Sequence, residues 1–194
     1  MTARRAIPRH LVHGHAIVSA DDRIAGSDGR TPAALRNPAD WARFQAALDA
    51  AAVTVLGRFG HEANPNVKGR NRLVLSSSAA GIERRADAWW WNPDAASLAE
   101  ALRRAAPAGG VAAVVGGRRV FDLFLGLGFD EFHLARVPGV LIPDGVPLFS
   151  GLADGRSPDA VLRDAGLVAG PAELIDPTAG VSLVVWRRQP AARP

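Results

Sequence analysis

The 194-residue chain contains no cysteine. That excludes disulfides, thiolate metal sites and cysteine nucleophiles, and it fits a reducing compartment such as the cytoplasm. Lysine is nearly absent too: Lys68 is the only one among 23 cationic residues, so the net charge of +4 is carried by arginine. The arginines are spread along the chain and do not form the dense basic face that marks nucleic-acid binding, so no nucleic-acid partner is expected. No apolar run approaches the roughly eighteen residues of a membrane span, so no membrane partner is expected. Arg4, Arg5 and Arg9 occupy the N-terminus without the apolar stretch of a signal peptide.

A hydrophobic fraction of 48% and a charged fraction of 22% are ordinary for a globular protein. With no linker and no internal repeat, residues 1–194 are expected to form one domain, with a core over 13–188 and loose ends at 1–12 and 189–194. A first strand is predicted over 15–20, followed by a turn-rich loop at 26–30. Asn37 and Pro38 have the chemistry of an N-cap and first helical residue, and Trp41, Phe44, Ala47, Leu48 and Ala51 recur at helical spacing behind them. Strands are predicted at 53–56, 73–75, 88–91, 111–115, 132–137 and 181–186, with helices starting at Asn92-Pro93-Asp94 and spanning 118–127 up to Gly128. Strands alternating with helices imply an α/β fold with a mainly parallel twisted sheet flanked by helices. The strand-and-turn character of the last third adds antiparallel strands at the C-terminal end.

Three strand ends have chemistry suited to phosphate. Val115 leads into Gly116-Gly117 and then Arg118-Arg119-Val120-Phe121, a glycine pair delivered to a helix N-terminus beside two arginines. Glycine lets a ligand approach the backbone, and the first-turn N–H groups favour an anion; a tight turn without a ligand would use the same residues. The segment does not complete the Gly-x-Gly-x-x-Gly of an ordinary Rossmann site. A second strand ends in Gly57-Arg58-Phe59 and a third in Ser76-Ser77. Ligands of α/β sheets bind at the carboxyl ends of strands, which is where all three fall.

The order of these motifs resembles the dihydrofolate reductase superfamily, including the reductase domain of riboflavin biosynthesis. The similar stretches are Asp22-Arg23-Ile24-Ala25-Gly26, Asn37-Pro38-Ala39-Asp40-Trp41, Val55-Leu56-Gly57-Arg58, Gly69-Arg70-Asn71-Arg72 running to Ser76-Ser77, and Val114-Val115-Gly116-Gly117-Arg118. The resemblance implies an NADPH-dependent oxidoreductase acting on a pteridine-like or ribosylaminopyrimidine-like small molecule. Gly57, Arg58, Phe59, Ser76 and Ser77 would lie near the adenosine 2′-phosphate. Residues 115–121 would hold the pyrophosphate, and Ile24 and Gly26 would belong to a loop closing over the site. Asp40 would be the catalytic acid, with Val18, Phe44 and Arg70 at the substrate; a homodimer is a further implication. Asp40 has a second reading, since an acid in a first helical turn is favoured by the helix dipole alone.

The chain departs from the folate-reducing pattern at Ala33, where a tryptophan is usual, at Ala135, where a threonine is usual, and in a longer loop over 27–36. Asp130-Glu131-Phe132-His133-Leu134 is closer to the riboflavin-type branch. His10, His13 and His15 suggest no complete metal-ligand set by their spacing, so no metal is assigned, and His133 reads as a core histidine among apolar neighbours. One ring of Trp89-Trp90-Trp91 should be buried, with an outward one free for an interface or a ligand.

Overall fold

The computed structural model describes residues 9–189. It begins with β1 (His10–Ser19) and β2 (Arg23–Ala25), a 3-10 turn at Ala33–Leu35, α1 (Pro38–Ala50), β3 (Val53–Gly57) and α2 (Arg58–Ala63). There follow β4 (Arg72–Leu75), β5 (Ile82–Arg85), β6 (Ala88–Trp91), α3 (Leu98–Ala105), β7 (Gly110–Val114), α4 (Arg118–Leu127) and β8 (Glu131–Val137). The chain ends through β9 (Val146–Pro147), a 3-10 turn, α5 (Pro158–Asp164), β10 (Leu167–Asp176) and β11 (Val181–Arg188).

Nine strands form one sheet in the order β10-β11-β8-β1-β7-β3-β4-β6-β5. The six from β8 to β6 are parallel, and β10 and β11 add antiparallel pairs at one edge, as the sequence implies. The antiparallel strand β5 at the opposite edge is an addition the sequence did not announce. A separate two-stranded sheet joins β2 to β9.

Helices cover both faces, because the parallel strands alternate apolar side chains to either side. Behind one face, α3, α4 and α5 bury a cluster that includes Phe121, Phe124, Phe129, Phe132 and Phe149. Ring centroids 5.1 to 6.3 Å apart link these five rings, each contact adding about 1 kcal/mol beyond simple burial. The other face carries α1 and α2. Gly14 of β1 lets the aromatic cluster close on the sheet, since a Cβ there would stand 2.3 Å from the Phe132 ring. Gly14→Ala is therefore expected to destabilise the fold by about 2–3 kcal/mol, read from a urea midpoint, through overpacking.

Several boundaries differ from the sequence expectation. Strand β1 starts at His10, ahead of the strand predicted over 15–20: His10, Leu11 and Val12 pair with Gly110, Val111 and Ala112, and Val12 is buried. The remaining end residues, 1–8 and 190–194, lie outside the described residues. Asn92 starts a turn and not a helix: its Oδ1 accepts from the Asp94 N–H at 3.1 Å, and α3 begins only after Ser97, whose Oγ caps Glu100 at 3.2 Å. Helix α5 starts at Ser157-Pro158, a capping residue followed by proline as at Asn37-Pro38. Trp91 is the buried member of the tryptophan run; the guanidinium groups of Arg84 and Arg85 lie over Trp89 and Trp90 at 5.8 and 4.6 Å. No helix among the described residues is long and apolar enough to cross a membrane.

Candidate active site

Strands β7, β3 and β4 are adjacent and parallel, so their carboxyl ends form one continuous rim. Val115 extends β7 by donating to Val55 O at 3.0 Å, and the Gly57 N–H donates to Gly116 O at 3.1 Å, which ties the two glycine segments together. Gly57 is paired with Leu75, so Ser76 and Ser77 emerge directly beside it.

Each glycine has a distinct role. Gly116 has φ +95, and a Cβ there would sit 2.7 Å from the Phe121 ring, so no other residue fits. Its peptide to Gly117 is cis. A Cβ on Gly117 would meet nothing within 4 Å: this residue faces open space. Gly117 is also the N-cap of α4 and provides no side-chain cap, which leaves first-turn donors directed at the rim. Val120 and Phe121 are buried and their amides donate to Gly117 O at 2.9 and 3.1 Å, so they hold the glycines in place from behind. Arg118 carries a buried Nε without a hydrogen-bond partner, and Arg119 is exposed.

Around the rim, Arg58 and Phe59 are more than half exposed on the first turn of α2, with Arg58 only loosely paired to Glu62 at 3.9 Å. The loop after Ile24 and Gly26 is closed by Gly26 N–H to Arg30 O at 2.9 Å, and Gly29 lies against the Phe59 ring. The loop and the start of α2 therefore meet beside the rim. The Ser76 hydroxyl bonds within its own turn, to Ser78 Oγ at 2.9 Å. No local sequence signal marks Arg85 as part of this rim. The hairpin of β5 with β6 brings its guanidinium to Ser78, at 3.2 Å from Oγ and 2.9 Å from the carbonyl, which places a further cation beside the serine turn.

Asp40 lies in the first turn of α1, on the opposite face from α4. The first-turn amides there are already capped, because Asn37 Oδ1 accepts from Ala39 and Asp40 N–H at 3.0 and 3.1 Å. Asn37 is itself anchored by its Nδ2, which donates to Asp176 at 2.7 Å. Burial, opposed only in part by Arg43, raises the Asp40 carboxyl from 3.8 to about 6. One turn on, Phe44 packs edge-on against His15 of β1, and Val18 is fully buried near the carboxyl end of the same strand.

No family model matches the sequence and no curated protein does. Solved structures match over almost the whole chain. A protein assigned to riboflavin biosynthesis from Shewanella sp. PV-4 superposes with a TM-score of 0.67 at 18% identity, over 93% of this chain and 99% of that one. The dihydrofolate reductase of Enterococcus faecalis, complexed with NADP(H) and RAB-propyl, gives 0.65 at 17% identity over 94% and 99%. The Thermotoga maritima diaminohydroxyphosphoribosylaminopyrimidine deaminase/5-amino-6-(5-phosphoribosylamino)uracil reductase gives 0.65 at 18% identity, over 93% of this chain and 57% of that one. The chain has the dihydrofolate reductase fold.

Within that fold, the carboxyl ends of β3, β4 and β7 bring Gly57, Arg58, Phe59, Ser76, Ser77 and the 115–121 segment to one rim, while Asp40 and Phe44 stand on α1 on the other face and Val18 is enclosed in the core. Arg70 stands before the start of β4, away from the rim, and donates through Nε to Asp49 at 2.9 Å and through Nη2 to Gln45 Oε1 at 2.8 Å. Ala33 begins the 3-10 turn that leads to Leu35, and Ala135 is buried on β8 opposite Ile17, so both positions remain small. His133 is the clear departure from expectation: its neighbours are two histidines and a glutamate, not apolar side chains.

Proposed function

We propose that this chain is an NADPH-dependent oxidoreductase that reduces a pteridine-like or ribosylaminopyrimidine-like heterocycle. The observation that carries this reading is the single rim shared by Gly116-Gly117, Gly57-Arg58 and Ser76-Ser77, with Asp40 held protonatable on α1. The rim suits a dinucleotide in two respects: open space in front of Gly117 and a buried, unpartnered Arg118 Nε. NADPH supplies the hydride when bound.

The chain's own residues do the rest. Gly117 lets the diphosphate approach the uncapped start of α4. Arg58, Ser76 and Ser77 select the 2′-phosphate, with Arg85 beside them. Ile24 and the Gly26 loop exclude water from the cleft, Phe44 walls the heterocycle, Val18 supports β1 from within the core and does not reach the ligand, and Asp40 donates a proton to it. Arg58→Ala should weaken NADPH binding tenfold or more while changing NADH binding less than threefold, measured by fluorescence titration. Equal losses for both nucleotides would remove the 2′-phosphate assignment.

Between the two substrate classes, Arg70 favours the ribosylaminopyrimidine type. A folate tail would have to displace Asp49 from a guanidinium that Asp49 and Gln45 already match. NADPH oxidation followed by absorbance across dihydrofolate, dihydropterin, ribosylaminopyrimidine and simple carbonyl compounds tests the activity. Turnover of the aminopyrimidine or pterin is expected. Binding of NADPH without oxidation on any of them would leave a nucleotide-binding protein in place of an enzyme.

A further inference from the structure

The neighbours of His133 lead away from the cleft. Parallel pairing of β1 with β8 sets His13 opposite Glu131 and His15 opposite His133, and the alternation of side chains puts all four on the α1 face of the sheet. They sit toward the amino-terminal ends of both strands, the end opposite the Gly116-Gly117 rim. His133 Nε2 lies 3.1 Å from Glu131 Oε2, and ligand atoms of His13, Glu131 and His133 all fall within 4.8 Å of one another. From this geometry we propose a binding site for a divalent transition-metal ion of the zinc class, held by His13, Glu131 and His133.

Two imidazoles and one carboxylate are a donor set that zinc accepts, with water in the fourth position. Tetrahedral coordination with bonds of about 2.1 Å separates ligand atoms by roughly 3.4 Å. The Glu131–His133 pair is close to that spacing at 3.1 Å, and the His13 ligand atom lies within 4.8 Å of both. The outer partners are also present. Arg187 Nε donates to Glu131 Oε1 at 3.0 Å, which turns Oε2 toward the imidazoles, and the His15 ring stacks on His133 at a centroid separation of 4.6 Å, which fixes its plane. All three ligands are half-buried, within reach of solvent and of an entering ion.

The test uses the untagged full chain, stripped with chelator and titrated with zinc chloride and with cobalt chloride. One equivalent of zinc should bind by calorimetry, cobalt should give the visible bands of a tetrahedral site, and saturating zinc should raise the melting temperature by several degrees. His13→Asn and Glu131→Gln should each weaken zinc tenfold or more, whereas His10→Asn, whose imidazole bonds Ala106 O outside the cluster, should not. Folding of each variant is checked by circular dichroism. In wild-type protein, zinc should shift the imidazole nitrogen resonances of His13 and His133 and leave those of His10 and His61 in place, a readout that needs no variant. Absence of zinc binding by the folded wild type overturns the proposal. So does binding that moves only other histidines.

Discussion

Asp40→Asn is expected to make the protein more stable and nearly inactive at once. Burial raises the carboxyl from 3.8 to about 6, so the folded protein retains a proton that the unfolded chain has released. A raised carboxyl stabilises fully below the unfolded value, and that contribution is lost as pH climbs to about 6. Above this, the wild type carries an ionised, half-buried carboxylate. Asparagine removes it. The variant should be more stable by up to about 3 kcal/mol near pH 8, a rise in melting temperature of several degrees, and the difference should vanish below about pH 3. Turnover should fall at least a hundredfold, and wild-type kcat/KM should decline as pH rises through about 6, as a required acid loses its proton. Were Asp40 only a helix-dipole acid, the substitution would cost up to about 1 kcal/mol and leave turnover intact. Because Asn37 already caps both nearby amides, the capping role is taken. Calorimetric melts and a pH–rate profile separate the two cases by sign.

The glycine pair should divide stability from binding in a similar way. Gly116→Ala forces a side chain into the left-handed region and into the Phe121 ring, a ring locked by Phe132 and Phe149. A loss of about 3 kcal/mol is expected, with a correspondingly lower melting temperature. Gly117→Ala meets no neighbour and has an ordinary φ of −73, so its melting temperature should stay within about 2 °C of wild type. Its NADPH affinity should nevertheless drop tenfold or more, because the added methyl occupies the space assigned to the diphosphate. If Gly117→Ala binds NADPH normally, the cofactor does not lie against α4.

Much of the rim was legible because its signals are local. A buried strand ending in glycine before a helix can be read from consecutive residues, as at Gly57 and Gly116-Gly117, and so can the Asn37-Pro38 start of α1. What escaped was set by pairing between distant segments. Strand β10 hides because Gly170-Pro171 interrupts its pattern. An edge strand tolerates that proline, with a bulge between Ala169 and Ala172. Arg85 reaches the serine turn only through the β5–β6 hairpin, and the Arg70 pairing depends on where the second half of α1 crosses. The histidine–glutamate cluster needs the register of β1 against β8, which no short-range spacing encodes. The place of Asp40 in the first turn of α1 is local information, whereas its raised carboxyl comes from burial by the folded chain.

The claim on which the account rests is that three strand ends grip one phosphorylated dinucleotide. Calorimetric titration of the wild-type chain with NADPH, and in parallel with NADH, addresses it directly. One site per chain is expected, with NADPH at least tenfold tighter than NADH. Heat changes no larger than dilution for both nucleotides would show that the rim, however well formed, holds no dinucleotide.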